Sequence, residues 1–296
     1  MLLITTPTGN SGRHVVNQAI RAGKTVRAFV RDASKLHPDV ASHVEVYEGD
    51  LQDERALQMA AEGTEAVFYC IPQSGEPEDV RRYYQSFAEP AARALQAACV
   101  KRVVTISGGK GDPDDIGPSG PLAAMEREFN NTGVATRHVR CGYFMENFLY
   151  TVPQLRFRNS FSLPVSADYP MALMAAEDIG KTAARWLLDS SWDGQEGVNV
   201  PFGQSTSCAL IAEVFSEVLG KPITFLPITG DEYKQMLMKF GVSEAMGQSL
   251  KEMFASIHDG SIGDATGAAH QGGVTLRAWA MDHLKPAVES PDSFHG

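Results

Sequence analysis

The first 31 residues constrain the fold of this chain more than any other segment. Residues 2–5 are a short apolar run, and residues 6–12 form a turn with two glycines. An amphipathic segment follows as far as Gly23, and residues 25–30 are apolar again. A strand, a turn, a helix and a second strand within about 30 residues form one βαβ unit. The chain is therefore predicted to open with two parallel strands joined by a helix.

The glycine turn predicts a dinucleotide site. Gly9 would let the backbone approach a pyrophosphate, Gly12 would let the helix pack close to the strand, and the helix N-terminus would face the anion. In the spacing Gly-x-x-Gly-x-x-Gly, Thr6 occupies the first position. Pro7 biases Thr6 toward an extended conformation, so we expect no positive φ there and a bend at Thr8-Gly9 instead. An ordinary βα turn is the alternative. The expected cofactor contacts here are Thr6, Thr8, Gly9, Asn10, Ser11 and Gly12.

The alternation of strands and helices continues to about residue 150. Further strands are predicted over 44–48, 66–69, 102–106 and 135–140, and helices over 53–61, 79–98 and 121–131. This order predicts an α/β fold with a doubly wound parallel Rossmann sheet. Residues 1–152 would form the nucleotide-binding domain, to which short segments near 175–201 return. Residues 153–296 would form a smaller α+β substrate subdomain, with a helix over 208–219 and Met-rich helices near 230–259.

Composition limits the partners of the protein. The net charge of −10 argues against nucleic acid and against membrane surfaces, both of which require clustered cations. The four cysteines are widely spaced without a Cys-x-x-Cys pair, which is typical of reduced thiols in a cytoplasmic protein. No apolar run approaches the ~20 residues of a membrane span, and the chain opens directly into a strand without a signal peptide. The histidines lack metal-ligand spacing, so no metal is expected.

The ends of the second and third strands bear on the choice of cofactor. An NAD site favours a carboxylate after the second strand, whereas an NADP site favours a cation for the 2′-phosphate. Arg31 comes first there, with Lys35 close behind, so NADP(H) is favoured over NAD(H). The alternative is that Asp32 holds the ribose. After the third strand, Asp50 and Leu51 are candidates for binding adenine, unless Asp50 only caps the next helix, a position that suits Asp53 better.

Two further segments should border the nicotinamide, since ligands bind at the carboxyl ends of parallel strands. Cys70-Ile71-Pro72 follows the fourth strand and Ser107-Gly108 follows the fifth. Cys70 is interpreted as a wall residue rather than a nucleophile, because no histidine stands in an evident partnering position.

Several motifs together resemble a known family. In order they are residues 8–12, 30–32, 49–51, 142–147 (Gly-Tyr-Phe-Met-Glu-Asn), 178–180 and 219–221. They are similar to the NmrA-like branch of the atypical short-chain dehydrogenases/reductases, over nearly the whole chain. The resemblance implies an NAD(P)-binding Rossmann domain and a smaller C-terminal substrate domain. It also implies that Gly142, Tyr143 and Phe144 contact the nicotinamide end and that Asn147 braces that segment. Members of the family include quinone, azo-dye, imine and enoyl-type reductases, and also redox-sensing regulators without turnover.

The chain departs from the short-chain dehydrogenases in its proton donor. Those enzymes use Tyr and Lys four residues apart, and none of the eight tyrosines here has Lys at that position. Isoflavone reductases carry Lys in the helix before the sixth strand, where this chain has Leu122 one turn before Glu126. Tyr143 and Ser107 remain the catalytic candidates. The alternatives are aromatic packing for Tyr143 and a hydrogen bond to the backbone for Ser107.

Two functions follow from that departure. The first is an NADPH-dependent oxidoreductase acting on a quinone, azo, imine or enone, which needs no proton held by the enzyme. The second is a non-catalytic redox-sensing regulator. The expected partner is a small apolar or aromatic substrate, and the protein would be a monomer or a homodimer. The predicted substrate pocket consists of Gly108, Leu122, Asn147, Phe148 and Met236.

Overall fold

A seven-stranded parallel sheet lies at the centre of the molecule. The computed structural model describes residues 1–108, 119–201, 204–258 and 272–290. The strands are β1 (Leu2–Thr5), β2 (Val26–Val30), β3 (Glu45–Glu48), β4 (Ala66–Tyr69), β5 (Arg102–Ser107), β6 (Ala135–Arg140) and β10 (Gln195–Asn199). Their order in space is β10-β6-β5-β4-β1-β2-β3, and every neighbouring pair is parallel.

Helices cover both faces of this sheet, as a doubly wound fold requires. In chain order they are α1 (Gly12–Arg21), α2 (Pro38–Ala41), α3 (Glu54–Ala61), α4 (Val80–Ala97), α5 (Ser119–Asn131) and α7 (Ala176–Leu188), whereas α6 (Val152–Arg158) packs in the core of the second half. On one face α1 packs against α7, and on the other α4 lies between α3 and α5. Leu2 and Ile4 join the core under α1 and α7, whereas Leu3 joins the opposite core. The predicted Rossmann-type sheet is confirmed.

The second half of the chain builds smaller sheets and a further set of helices. The remaining strands are β7 (Tyr143–Phe144), β8 (Ser160–Phe161), β9 (Pro170–Met174), β11 (Gln204–Ser207) and β12 (Thr224–Phe225). They form a three-stranded sheet in the order β11-β9-β7 and the pair β12-β8. The remaining helices are α8 (Cys208–Leu219), α9 (Gly230–Lys239), α10 (Glu244–His258), α11 (Leu276–Trp279) and α12 (Lys285–Glu289). Among the described residues, no helix combines the length and apolar character needed to cross a membrane.

Two elements that lie in the chain between strands of the small sheets belong spatially to the large one. Helix α7 contributes Ile179 and Ala183 to the same core as Val15 and Val16 of α1. Strand β10 pairs with β6 from Gln195 to Asn199 and forms one edge of the seven-stranded sheet. The chain therefore leaves the first half, builds part of the second, and returns. The division of the chain into two domains near residue 152 stays a prediction.

Candidate cofactor site

The point where the sheet changes direction lies between β1 and β4. From β1 the chain moves outward to β2 and β3, and from β4 it moves the other way to β5 and β6. At the carboxyl ends of the two strands, the backbone N–H of Cys70 donates to Thr5 Oγ1 at 3.1 Å. Doubly wound proteins bind their ligands in the crevice at such a switch point. The glycine turn that follows β1 lies directly above it.

Thr6 adopts the conformation that its sequence context argued against. Its φ is +48°, in the left-handed region, and its carbonyl accepts from the N–H of Gly9 at 3.0 Å. The bend therefore begins at Thr6, and the expectation of an extended Thr6 with a bend at Thr8-Gly9 is wrong. The physical reason is tertiary packing: a Cβ on Gly12 would lie 2.0 Å from the Thr6 carbonyl oxygen. A positive φ strains a β-branched residue, and the turn and the close helix hold it there.

The N-terminus of α1 is left open to a ligand. Ser11, its N-cap residue, makes no side-chain capping bond, and no acidic residue lies in the first turn. By contrast, Asp53 accepts from the Ala56 N–H at the start of α3. Thr8 and Asn10 are exposed beside this open end, while Ser11 is buried. Free N–H groups and the positive end of the helix dipole suit a phosphate.

At the end of β2, the carboxylate of Asp32 is hydrogen-bonded within the protein, whereas the side chain of Arg31 is exposed. Asp32 Oδ1 accepts from the Ser34 N–H at 3.0 Å and from Ser34 Oγ at 2.6 Å, and these bonds lower the pKa of Asp32. Arg31 is exposed and has no ion-pair partner among the described residues. Lys35 is exposed in the short 3₁₀ helix that follows. The arrangement favours Arg31 over Asp32 as the group available to a ligand.

At the end of β3, Asp50 and Asp53 take different roles. Asp53 caps α3, as its position suggested. Asp50 is exposed, and its Oδ1 accepts from the Gln52 N–H at 2.9 Å, which leaves the second carboxylate oxygen without a protein partner among the described residues. The Leu51 side chain is buried in the core, so only its backbone can border an adenine ring.

The loop after β4 provides a wall rather than a nucleophile. Burial raises the pKa of the Cys70 thiol to about 11, which keeps it protonated and unreactive at neutral pH. Ile71 is buried in the core, and the Pro72 carbonyl accepts from the Tyr83 hydroxyl at 2.8 Å. The loop is thus fixed against α4.

Ser107 at the end of β5 is already bonded within the protein. Its Oγ donates to Glu126 Oε1 at 2.6 Å, and Arg140 donates to both oxygens of the same carboxylate at 3.0 and 2.6 Å. Ser107 and Glu126 are both buried. The suggested bond from Ser107 to the backbone is therefore wrong, because the hydroxyl donates its hydrogen bond to a buried carboxylate on α5. The hydroxyl is also poorly placed to serve a substrate.

The segment after β6 packs tightly against β9. A Cβ on Gly142 would lie 2.5 Å from the Ala172 carbonyl oxygen. The ring of Tyr143 packs at 5.5 Å from Phe148 and 6.2 Å from Phe254, and burial raises the pKa of its phenol well above the usual value. These contacts favour aromatic packing over acid catalysis for Tyr143. Phe144 pairs with Met174 and packs on the core beneath the sheet.

Glu146 holds this segment in place, a role that the family resemblance assigned to Asn147. Its Oε2 accepts from the Ala176 N–H at the start of α7 at 3.0 Å, and its Oε1 accepts from Trp279 Nε1 at 3.1 Å. No described residue forms a hydrogen bond with the Asn147 side chain. The bracing role of Asn147 stays a prediction, and the buried carboxylate of Glu146 joins two helices.

The predicted substrate pocket does not form one surface. Phe148 is fully buried among Phe161 and Phe215, with ring centroids 5.8 and 5.2 Å away, so the expectation that it lines a pocket is corrected. Met236 packs on the same core and its Sδ accepts from Gln154. Gly108 and Leu122 do lie together, since a Cβ on Gly108 would be 3.2 Å from Leu122 Cδ1.

A cavity of about 460 Å³ lies elsewhere in the second half. Its walls include Pro164, Val165, Ile228, Lys251 and Phe254, and none of the five predicted pocket residues. Among the described residues, no group of histidine, cysteine and carboxylate side chains has the arrangement of a metal site.

The fold and the switch-point site define a Rossmann-type protein. The chain matches the NmrA-like family over residues 1–271 and belongs to that family, which confirms the resemblance found in its motifs.

Individual relatives agree with this placement. The chain is 27% identical to an NAD(P)H azoreductase of Xenophilus azovorans over 256 residues, 86% of each protein. The structure of the NADPH-dependent quinone oxidoreductase of Escherichia coli, complexed with NADPH, superposes with a TM-score of 0.78 at 21% identity, covering 96% of this chain and 99% of that one. The triphenylmethane reductase of Citrobacter sp., complexed with NADP(H), gives a TM-score of 0.73 at 17% identity, covering 97% and 98%. At these identities, the two structures establish a shared fold.

Proposed function

We propose that this protein is an NADPH-dependent oxidoreductase that reduces a conjugated organic molecule of the quinone, azo, imine or enone type. The observation that carries the proposal is the turn at the switch point, where Thr6 is held at positive φ against Gly12 below an uncapped helix. The relatives named as azoreductase, quinone oxidoreductase and triphenylmethane reductase support the same class of reaction.

The residues of the turn fit the phosphates of a nicotinamide dinucleotide. The backbone N–H groups near Gly9 and Gly12 would bind the pyrophosphate. A side chain at Gly12 would collide with the Thr6 carbonyl and disrupt the turn. Arg31 would bind the 2′-phosphate, with Lys35 nearby in sequence, because Asp32 is engaged with Ser34. The free carboxylate oxygen of Asp50 would accept from the adenine amino group.

The lack of a suitable proton donor at Tyr143 and Ser107 favours a substrate that needs none from the enzyme. When bound, the reduced nicotinamide supplies a hydride. Tyr143 retains its proton strongly and packs among aromatic rings, and Ser107 is bonded to a buried carboxylate. Neither side chain is arranged to donate a proton in step with that transfer. A quinone or an iminium can accept hydride first and take any proton from water, so the site needs only to orient such a substrate over the nicotinamide.

Cofactor binding and turnover test the proposal separately. We expect NADPH to bind. We also expect its absorbance at 340 nm to fall when at least one member of a panel of quinones, azo dyes, cyclic imines and enones is added. Arg31→Ala should weaken NADPH binding by about tenfold or more and leave NADH binding almost unchanged, because only NADPH carries the 2′-phosphate. Arg21→Ala, at the other end of α1, is the matched control. Equal losses for both cofactors would reject the preference for NADP(H).

A redox-sensing regulator is the second candidate. The bonded state of Ser107 and the packed state of Tyr143 favour it, since a regulator needs no acid. NADPH binding with no oxidation across the whole panel would support the regulator and reject the enzyme.

A further inference from the structure

Tyr83, on the first turn of α4, is connected by hydrogen bonds to two of the proposed cofactor segments, the loop after β4 and the turn after β3. Its hydroxyl donates to the Pro72 carbonyl in the loop after β4 at 2.8 Å. Its ring makes edge contacts with Tyr84 and Phe87, at centroid distances of 5.7 and 5.0 Å. The hydrogen bond fixes the hydroxyl, and the two ring contacts fix one edge of the ring. Because the side chain is only half-buried, part of the ring stays accessible.

Helix α4 is also tied to the turn that follows β3. Gln52 Nε2 donates to Ser86 Oγ at 2.6 Å, and Ser86 Oγ donates to the Tyr83 carbonyl at 2.7 Å. Gln52 is the residue whose backbone N–H binds the carboxylate of Asp50. The helices α3 and α4 pack side by side, and both begin at the carboxyl edge of the sheet. This edge therefore places Tyr83 next to the proposed adenine acceptor.

The charges around the phenol agree with that placement. Burial raises the pKa of Tyr83, the positive charge of Arg31 opposes the rise, and the negative charges of Asp50 and Glu76 add to it. The phenol oxygen is thus within electrostatic range of both Arg31 and Asp50. Those two residues are proposed to bind opposite ends of one group, the 2′-phosphate and the adenine of an adenosine 2′-phosphate. A half-buried aromatic ring near both charges has the chemistry of a base-binding surface.

We infer that Tyr83 also binds the adenosine 2′-phosphate end of the cofactor: its ring contacts the adenosine, and its hydroxyl fixes the loop at Pro72. The inference rests on the proposed function. It concerns the adenosine end alone, so fragments of the cofactor can test it without turnover.

The experiment measures binding of NADPH and of adenosine 2′,5′-bisphosphate by isothermal titration or by competition. Tyr83→Ala should weaken both ligands by a similar factor of about tenfold, because stacking of a base on an aromatic side chain is lost. Tyr83→Phe should retain most of the affinity, since the ring remains. Tyr150→Ala is the matched control, because Tyr150 is 80% exposed and should leave both affinities unchanged.

The outcomes separate this inference from the proposed function. If wild-type protein binds NADPH and Tyr83→Ala binds both ligands equally well, the role of Tyr83 is rejected while the cofactor site stands. If wild-type protein binds neither ligand, the proposed function itself fails. Should Tyr83→Ala not fold, Tyr83→Leu keeps an apolar side chain in the same place. That variant must then lose affinity for both ligands while Tyr83→Phe does not, and equal affinities in the two would reject the inference.

Discussion

The carboxylate of Glu146 offers the sharpest test of how the second half of the chain is attached. It accepts one hydrogen bond from the backbone at the start of α7 and another from the indole of Trp279. The side chain is only 8% exposed, so water cannot replace either partner. Glu146→Gln preserves the shape but turns one acceptor oxygen into an NH₂ group. That group would face an N–H donor, and one of the two donors would be left unsatisfied.

The expected loss follows from these contacts. A hydrogen bond to a charged group contributes about 1.5–3 kcal/mol, and a buried donor without a partner costs about 1–3 kcal/mol. The two terms overlap, so Glu146→Gln should lower the free energy of unfolding by about 2–4 kcal/mol. For a protein of this size, that corresponds to a fall in Tm of roughly 5–10 °C.

Chemical and thermal denaturation followed by circular dichroism would measure this loss. The matched control is Glu244→Gln, whose side chain is 72% exposed and pairs with Lys234. A surface pair of this kind contributes about 0–1 kcal/mol, so the control should stay near wild type. A loss below about 0.5 kcal/mol in Glu146→Gln would show that the carboxylate does not join the two helices as described.

Four further outcomes are expected. Gly12→Ala should destabilise the protein by about 1–3 kcal/mol and abolish tight NADPH binding, because the new methyl group overlaps the Thr6 carbonyl; a thermal melt and a cofactor titration would check this. Arg140→Leu should cost about 3–5 kcal/mol in urea denaturation, since it leaves the buried Glu126 carboxylate unpaired. Glu126→Gln should cost less, about 1–3 kcal/mol, because the 22% exposed Arg140 side chain can reach water, and equal costs would contradict the described burial. Burial lowers the pKa of His138 to about 4 from 6.5, so the unfolded state takes up a proton first as the pH falls. Stability should therefore decline from pH 6.5 toward pH 4 by up to about 3 kcal/mol, and His138→Gln should flatten that part of the measured profile.

Local patterns predicted most of the regular elements. The sixth strand and the helix over 208–219 have the bounds expected from the sequence. The helix is delimited by its own ends: Ser207 caps the first turn through the Leu210 N–H, and Gly220 ends it at a φ of +64°. Signals of this kind lie within a few residues of the element that they define, so a single sequence contains them.

Contacts across the fold escaped prediction. The local rule for a residue before proline gave the wrong conformation for Thr6, because the close approach of Gly12 decides it. The two partners of Glu146 lie 30 and 133 residues away in the chain. No sequence signal near Glu146 indicates either partner. The Gly-Tyr-Phe-Met-Glu-Asn motif only marks the segment as one that the family resemblance depends on. Tyr83 was missed because it lies on a helix and not at the end of a strand.

The late return of the chain to the large sheet has a consequence for how the molecule unfolds. Without β10, the strand β6 would have an open hydrogen-bonding edge, and without α7 the apolar face of α1 would be in water. A cut near residue 152 would remove both. The whole chain should accordingly melt in a single calorimetric transition, and neither half should be recoverable as a folded fragment.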